Sequence, residues 1–149
     1  QSAAAQSRRQ AGLYEGLQGF TVRDIMSKEH PLIIQELSLT QLIQDYILVT
    51  GQRYFVVIDG GSKLQGVVTM RSIKSVPKRR WNSTSAGEAM VPASKVKTAR
   101  AEQPAASLLQ EMDELGVSEM PVIDKDKVIG VVSRDNMIRL LKTRAELGM

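Results

Sequence analysis

Apolar positions along this chain fall into two kinds of pattern, and the two alternate. Leu39, Leu42, Ile43, Tyr46 and Ile47 are spaced i, i+3, i+4, i+7 and i+8, which predicts an amphipathic helix. Ser38 stands before it as an N-cap with Gln41 three residues on, and Gly51 follows as the stop. Tyr54 to Ile58 is a β-rich run ended by Asp59-Gly60-Gly61, and Leu64 to Met70 returns, a hairpin. Before the helix, Leu32-Ile33-Ile34 predicts a short strand; after the hairpin, a helix beginning near Arg71 is cut off by Pro77. The order is β-α-β-β-α.

The same order then recurs. Val96-Lys97-Thr98 predicts the short strand, and Ala105, Leu108, Leu109, Met112 and Leu115 the helix face, with Gly116 as its stop. Met120 to Ile123 and Val128 to Ser133 are the hairpin strands. A last helix, capped by Asp135 or Asn136, turns Met137, Ile138 and Leu141 inward. The recurrence is also literal. Val22-Arg23-Asp24-Ile25-Met26 returns as Ala86-Gly87-Glu88-Ala89-Met90, and Gly66-Val67-Val68-Thr69 as Gly130-Val131-Val132-Ser133. Met26 and Met90 are 64 residues apart, as are Gly66 and Gly130. A constant offset at both ends of a unit marks a duplicated fold. The fold class expected is α/β (α+β), two repeats about a pseudo-twofold axis, with ligands sought in the cleft such a pair encloses. The boundaries read are 1–19 for a lead-in helix carrying Leu13, Leu17 and Phe20, 20–76 for repeat one, 77–83 for a basic linker, 84–143 for repeat two, and 144–149 for a tail.

Composition narrows the classes. Aromatics are 4% of the chain, so the core is aliphatic, with Met26, Met90 and Met112 as filler. There is no cysteine, hence no disulfide framework. No run approaches the ~20 apolar residues that span a bilayer, so the chain reads as soluble. From Lys74 to Arg100, seven Lys and Arg stand against Glu88 alone. Such a patch can bind nucleic acid, anionic lipid or ligand phosphate, and a solvated connecting loop is the plainer reading. Trp81 inside that stretch reads as an anchor. The single histidine, His30, precedes Pro31 and reads as solvated. No catalytic constellation, phosphate loop or zinc ligand set is present: one histidine excludes His-Glu-x-x-His.

Val-x-Asp-Ile-Met, an amphipathic helix, Val-Val-Ile-Asp, Gly-Val-Val-Thr and a further helix together resemble the cystathionine-β-synthase (CBS) domain, and two in tandem resemble a Bateman module. The resemblance runs from Phe20 to Thr143. It implies a regulatory module that binds AMP, ATP or S-adenosylmethionine and homodimerises through its second helices, with Met137 and Leu141 as interface candidates. Three further features are similar to the cytosolic tail of site-2-type intramembrane zinc metalloproteases: the lead-in before Gly19-Phe20-Thr21, the Val76-Pro77…Trp81 linker, and the ending Arg144-Ala145-Glu146-Leu147-Gly148. That likeness implies a covalently attached membrane protease, which alone would carry the zinc, and a place at the cytosolic face of the membrane. The alternative is a ligand-free structural dimerisation module of a membrane transporter or enzyme.

In the family a Thr or Ser ends the third strand and an Asp three residues on holds the ribose. Here Thr69 and Ser133 keep the hydroxyl, but Ser72 and Asn136 stand where the carboxylate would be. If a nucleotide binds, the resemblance puts Phe55, Met120 and Pro121 near the base. Thr69, Ser72, Ser133 and Asn136 would face the sugar, and Arg71 or Arg134 the phosphate. Charged acceptors contribute about 1.5–3 kcal/mol, so their absence predicts a weak site. Ser72 and Asn136 serve equally well as helix caps.

Overall fold

The computed structural model describes residues 12–149. Its elements follow the expected order twice. Helix α1 occupies residues 12–16 and ends where Gly19 takes a positive φ of 85°. The first repeat then gives α2 (Val22–Ile25), β1 (Leu32–Ile33), α3 (Leu39–Leu42), a π-helical turn (Ile43–Ile47), α4 (Leu48–Thr50), β2 (Tyr54–Ile58), β3 (Leu64–Thr69) and α5 (Met70–Lys74). The second gives α6 (Ala86–Ala89), β4 (Val91–Pro92), β5 (Ala99–Arg100), α7 (Ala105–Leu115), β6 (Glu119–Asp124), β7 (Lys127–Ser133) and α8 (Arg134–Glu146).

Two compact units form, and each takes its opening segment from the other repeat. One unit comprises Glu29–Lys97 with Lys125–Val128. Its sheet runs β1-β2-β3-β4, with β1 parallel to β2 and the rest antiparallel. Strand β4 comes from the start of the second repeat, and pairs Val91 with Val67 and Pro92 with Gly66. The other unit joins residues 12–28 to Thr98–Asp124 and Ile129–Met149. Its sheet is β5-β6-β7, with β5 parallel to β6. Here Ser27, from the first repeat, bridges Val131 on β7. The backbone seams match: Ala86 and Gly87 donate to Leu37 and Gln35 in one unit, and Val22 and Arg23 donate to Gln103 and Ala101 in the other.

A glycine makes each exchange possible. A Cβ on Gly66 would strike the Val91 carbonyl and come within 2.7 Å of the Met90 sulfur. A Cβ on Gly130 would lie 2.8 Å from the Ser27 carbonyl and 2.9 Å from the Met26 sulfur. Only a residue without a side chain lets the donated segment lie this close.

The cores are separate and aliphatic. Ile33, Leu39, Leu42, Phe55, Val57, Val68, Ile73 and Ala86 bury together in the first unit, with Trp81 packed alongside. Val22 and Ile25 join Ala105, Leu108, Leu109, Met112, Met120, Val122, Val132 and Met137 in the second. Burying such a side chain contributes about 1.5–3 kcal/mol, so α2, only four residues long, is held by Val22 and Ile25 rather than by its own hydrogen bonds.

Several local expectations shift. Twelve residues from Leu39 to Thr50 fill the space that eleven fill in α7, and the extra one is wound into the π-helical turn. A 3₁₀ turn at Ala93–Lys95 moves the short strand of repeat two from 96–98 to Ala99–Arg100. Ser133 caps α8, in place of Asp135 or Asn136, because its hydroxyl accepts the Asn136 N–H at 3.0 Å. His30 is half-buried rather than solvated: its Nε2 bonds the Tyr54 carbonyl, and desolvation lowers its pKa below the ordinary histidine value. Met137 is enclosed in its unit's core, and a Cβ on Gly16 would meet the Leu141 methyls at 3.0 and 3.3 Å. Met137 is therefore no surface group for a dimer.

Gly66→Ala and Gly130→Ala should each lower stability by about 1–3 kcal/mol, the range for forced overpacking. Gly61, whose Cβ would meet only the Asp59 carboxylate at 3.5 Å, supplies the control, with Gly61→Ala within about 0.5 kcal/mol of wild type. Urea unfolding compares the three. Equal stability of all three variants would refute the close-approach account.

Candidate functional site

The residues singled out for ligand contact gather at two equivalent strand-to-helix junctions, one in each unit. At the first, β3 ends on Thr69 and α5 begins. The Ser72 N–H donates to Thr69 Oγ1 at 3.2 Å, and the Thr69 N–H donates back to Ser72 Oγ at 3.1 Å. The two hydroxyl oxygens are themselves 3.2 Å apart. This reciprocal cap satisfies helix N–H groups that lack a partner in the first turn. It also occupies the Ser72 hydroxyl, which is buried, while Arg71 is exposed. On the paired strand, Tyr54 lies opposite Thr69 and Phe55 opposite Val68. Phe55 is wholly enclosed, its ring edge-on to Tyr46 at 6.2 Å.

The second junction is built differently. Ser133 ends β7 and caps α8 with its hydroxyl, but Asn136 returns no side-chain bond to it, so the box is open. Arg134, the first helical residue, donates its backbone N–H to the Ser118 carbonyl at 2.9 Å. Its Nε donates to Asp113 Oδ1 at 2.9 Å, and the other Asp113 oxygen accepts the Tyr14 hydroxyl at 2.9 Å. Three helices of one unit, α1, α7 and α8, are joined through that carboxylate. Met120 and Pro121, on β6, are buried.

The charges respond to this geometry. The Arg134 guanidinium holds the Asp113 carboxyl below the usual carboxylate range, with Tyr14 adding to the effect. Burial, then the Asp113 hydrogen bond, pushes the Tyr14 phenol up. Arg134 is held further in its charged form by the same carboxylate. Beside this junction, burial raises Glu119, and the charge of Asp135 adds to it. At the α8 junction, Asn136 with its open cap and Arg134 with one of its donors engaged are the groups suited to a polar ligand. At the α5 junction the hydroxyls are already paired.

Sequence reasoning missed Asp113 and Tyr14. Asp113 lies on the polar side of an amphipathic helix, 21 positions from Arg134 and 99 from Tyr14. No local pattern marks a carboxylate whose partners come from two other helices. Among the described residues, no three His, Cys, Asp or Glu side chains are grouped to hold a metal ion.

The Asp113 carboxylate has a lowered folded-state pKa. Its contribution is therefore present above the unfolded-state carboxylate range and is lost as pH falls through the folded-state value. Asp113→Asn should cost about 1 kcal/mol at pH 7. The variant should lose less further stability than wild type on acidification below the carboxylate range. Urea midpoints across that interval test both. Parallel pH profiles would show that Asp113 carries no such charge coupling.

Comparison with known proteins shows the family. The chain is 28% identical over 144 residues to the protein named "Putative zinc metalloprotease sll0528" of Synechocystis, covering 95% of this chain and 38% of that one. It is 29% identical over 124 residues to "Putative zinc metalloprotease Rip3" of Mycobacterium tuberculosis, covering 83% of this chain and 32% of that one. The chain thus spans about a third of the length of the curated relatives it matches. In fold it resembles the CBS domain of the bacterial CNNM/CorC family Mg²⁺ transporter, solved in complex with ATP. That likeness has a TM-score of 0.74 at 18% identity, covering 92% of this chain and 97% of the other. The family model for the CBS domain matches residues 22–78 and again 86–143, and with its two α/β repeats the chain belongs to the CBS-domain family as a tandem pair.

Proposed function

We propose that this CBS pair is the regulatory module of a membrane-embedded zinc metalloprotease of the site-2 type, at the cytosolic face of the membrane. The observation that carries this reading is the extent of the alignment. Nearly the whole chain matches a protein named as a zinc metalloprotease while covering 38% of it. The remaining length of that relative has room for a catalytic domain. Among the described residues, no helix is long and apolar enough to cross a membrane, so the reading assigns membrane insertion and zinc to other sequence of the parent. The coding sequence upstream of Gln1 tests this: hydrophobic segments carrying His-Glu-x-x-His support it, and a different upstream domain defeats it.

The module's ligand, on this reading, is an adenosine-type nucleotide, as in the structural relative solved with ATP. The α8 junction is its anchor: Arg134 reaches the phosphates, and the open-capped Asn136 and Ser133 reach the sugar. The helix N-terminus adds a favourable field for negative charge. A phosphate that captured Arg134 would compete with Asp113, and Asp113 also holds Tyr14 on α1. Ligand occupancy would then be felt by the lead-in helix, the segment nearest the parent. A ligand shifts a conformational balance only by binding one state better than the other, and competition for one guanidinium supplies that difference.

A second reading, a ligand-free dimerisation module, is favoured by the closed Thr69–Ser72 cap and by the enclosure of Phe55 and Met120. The proposed homodimer, common to both readings, uses the exposed apolar end of α4, where Leu48 and Val49 are 74% and 73% exposed.

With ATP or AMP at a hundredfold excess over Kd, stability should rise by about 2.7 kcal/mol, read as a melting shift. Asn136→Asp should tighten binding by about 1 kcal/mol by restoring a charged acceptor, and Arg134→Ala should weaken it. No calorimetric heat and no melting shift in any variant would leave the ligand-free reading. Leu48→Glu should convert a dimer to monomer in sedimentation. A wild-type monomer would remove dimerisation from both readings.

A further inference from the structure

From Gly60 to Gly87 the chain contains no Asp or Glu, but it holds Lys63, Arg71, Lys74, Lys78, Arg79 and Arg80. Five of these six cations fall within ten consecutive residues, on α5 and the 3₁₀ turn Lys78–Arg80 that follows it. All five side chains are exposed. Among the described residues, the ion pairs are made by Arg23 and Arg134 and by no member of this group. The first carboxylate beyond the stretch, Glu88, accepts the Ser85 N–H in the Ser85 cap and makes no ion pair among the described residues, though the charge of Arg80 adds to lowering its pKa.

The backbone beneath these cations is built, not loose. The Arg80 N–H donates to the Pro77 carbonyl at 2.8 Å. The Arg80 carbonyl accepts the Thr84 hydroxyl at 2.8 Å and the Ser83 hydroxyl at 3.2 Å. The Trp81 indole N–H donates to the Val76 carbonyl at 3.0 Å, and the ring packs against the core of its unit. A turn pinned at both ends presents its charges with little ordering left to lose on binding.

We infer that this basic turn, Arg71 to Arg80, docks on the anionic phospholipid headgroups of a membrane surface. Charge complementarity selects an anionic partner. The fate of Trp81 decides among anions, since it is the only aromatic residue between Gly60 and Gly87 and its half-buried ring packs against the core. Single-stranded nucleic acid needs exposed aromatic platforms for its bases, and the one aromatic ring here is committed to the core face and bonded to the Val76 carbonyl. A lipid surface needs only clustered Lys and Arg near the bilayer. The inference rests on the proposed attachment to a membrane protein, which would hold the turn at that distance. It is independent of any nucleotide.

The test uses the full 149-residue chain and co-sedimentation with vesicles of phosphatidylcholine alone, or with about one-third phosphatidylglycerol. Binding is expected to the mixed vesicles only, and to be released as salt shortens the screening length from about 10 Å to about 3 Å. Lys78→Glu/Arg79→Glu/Arg80→Glu should weaken it at least tenfold. Lys28→Glu/Lys127→Glu/Lys142→Glu, the same charge change elsewhere, should weaken it less than threefold, and the circular-dichroism melt of each variant confirms folding. Salt-released binding of the wild type to anionic vesicles stands as support even if the first variant fails to fold, provided the second binds. Equal losses in two folded triple variants, equal binding to neutral vesicles, or tighter binding to a single-stranded oligonucleotide would overturn the inference. A failure here leaves the regulatory reading standing, and a failure to bind nucleotide leaves this one standing.

Discussion

The close approach of a donated segment to a strand glycine is the constraint on which the rest of this structure depends. Met90 and Val91 lie over Gly66, and Met26 and Ser27 lie over Gly130. Neither compact unit is made of one repeat alone. Each completes its sheet or its core with a piece that its own repeat does not encode. The short helices α2 and α6 have four residues apiece, far fewer than an isolated helix needs. They persist because Val22 and Ile25, or Ala86, are buried in the unit that receives them. Exchange therefore converts two marginal repeats into two closed cores and makes each repeat necessary to the other.

The exchange also ties the lead-in segment to the second repeat. Segment 12–28 is packed with the second repeat, not the first. Tyr14 reaches Asp113 there, and Asp113 reaches Arg134 at the start of α8. Arg23, on α2, bonds Glu102 and Asp124 of the same unit. Both Arg23 pairs are solvent-exposed and contribute little to stability. The Asp113 pairs, less exposed, are better shielded. A change at the start of α8 is thus connected by hydrogen bonds to the segment that leads upstream.

The two repeats have diverged where duplication leaves freedom. An added residue in the first repeat's helix is absorbed as a π-helical turn. At the β-to-α junctions, Thr69 and Ser72 close a reciprocal cap while Ser133 and Asn136 leave theirs half made. A capping residue and a ligand-binding residue draw on the same hydroxyl, so the two uses compete. The first junction has given its hydroxyls to the helix.

Much of the fold was legible in the chain itself. The hairpins followed from β-rich runs around Asp59-Gly60-Gly61, the helices from apolar spacing and their Gly51 and Gly116 stops, and the duplication from equal offsets at Met26/Met90 and Gly66/Gly130. These are short-range or repeated signals, carried by propensity and pattern. The candidate site was legible only as positions: Thr69, Ser72, Ser133 and Asn136 do stand at helix starts, but which hydroxyl is already taken depends on backbone geometry. Asp113, Tyr14 and the burial of His30 left no mark, since their partners come from distant segments. The sequence alone determined that there are two like repeats and where their strands and helices begin. Only the tertiary structure decided which segment completes which core, because that choice is made by the packing of Met and backbone against a bare glycine, a contact between residues about 25 positions apart at Gly66 and just over 100 apart at Gly130.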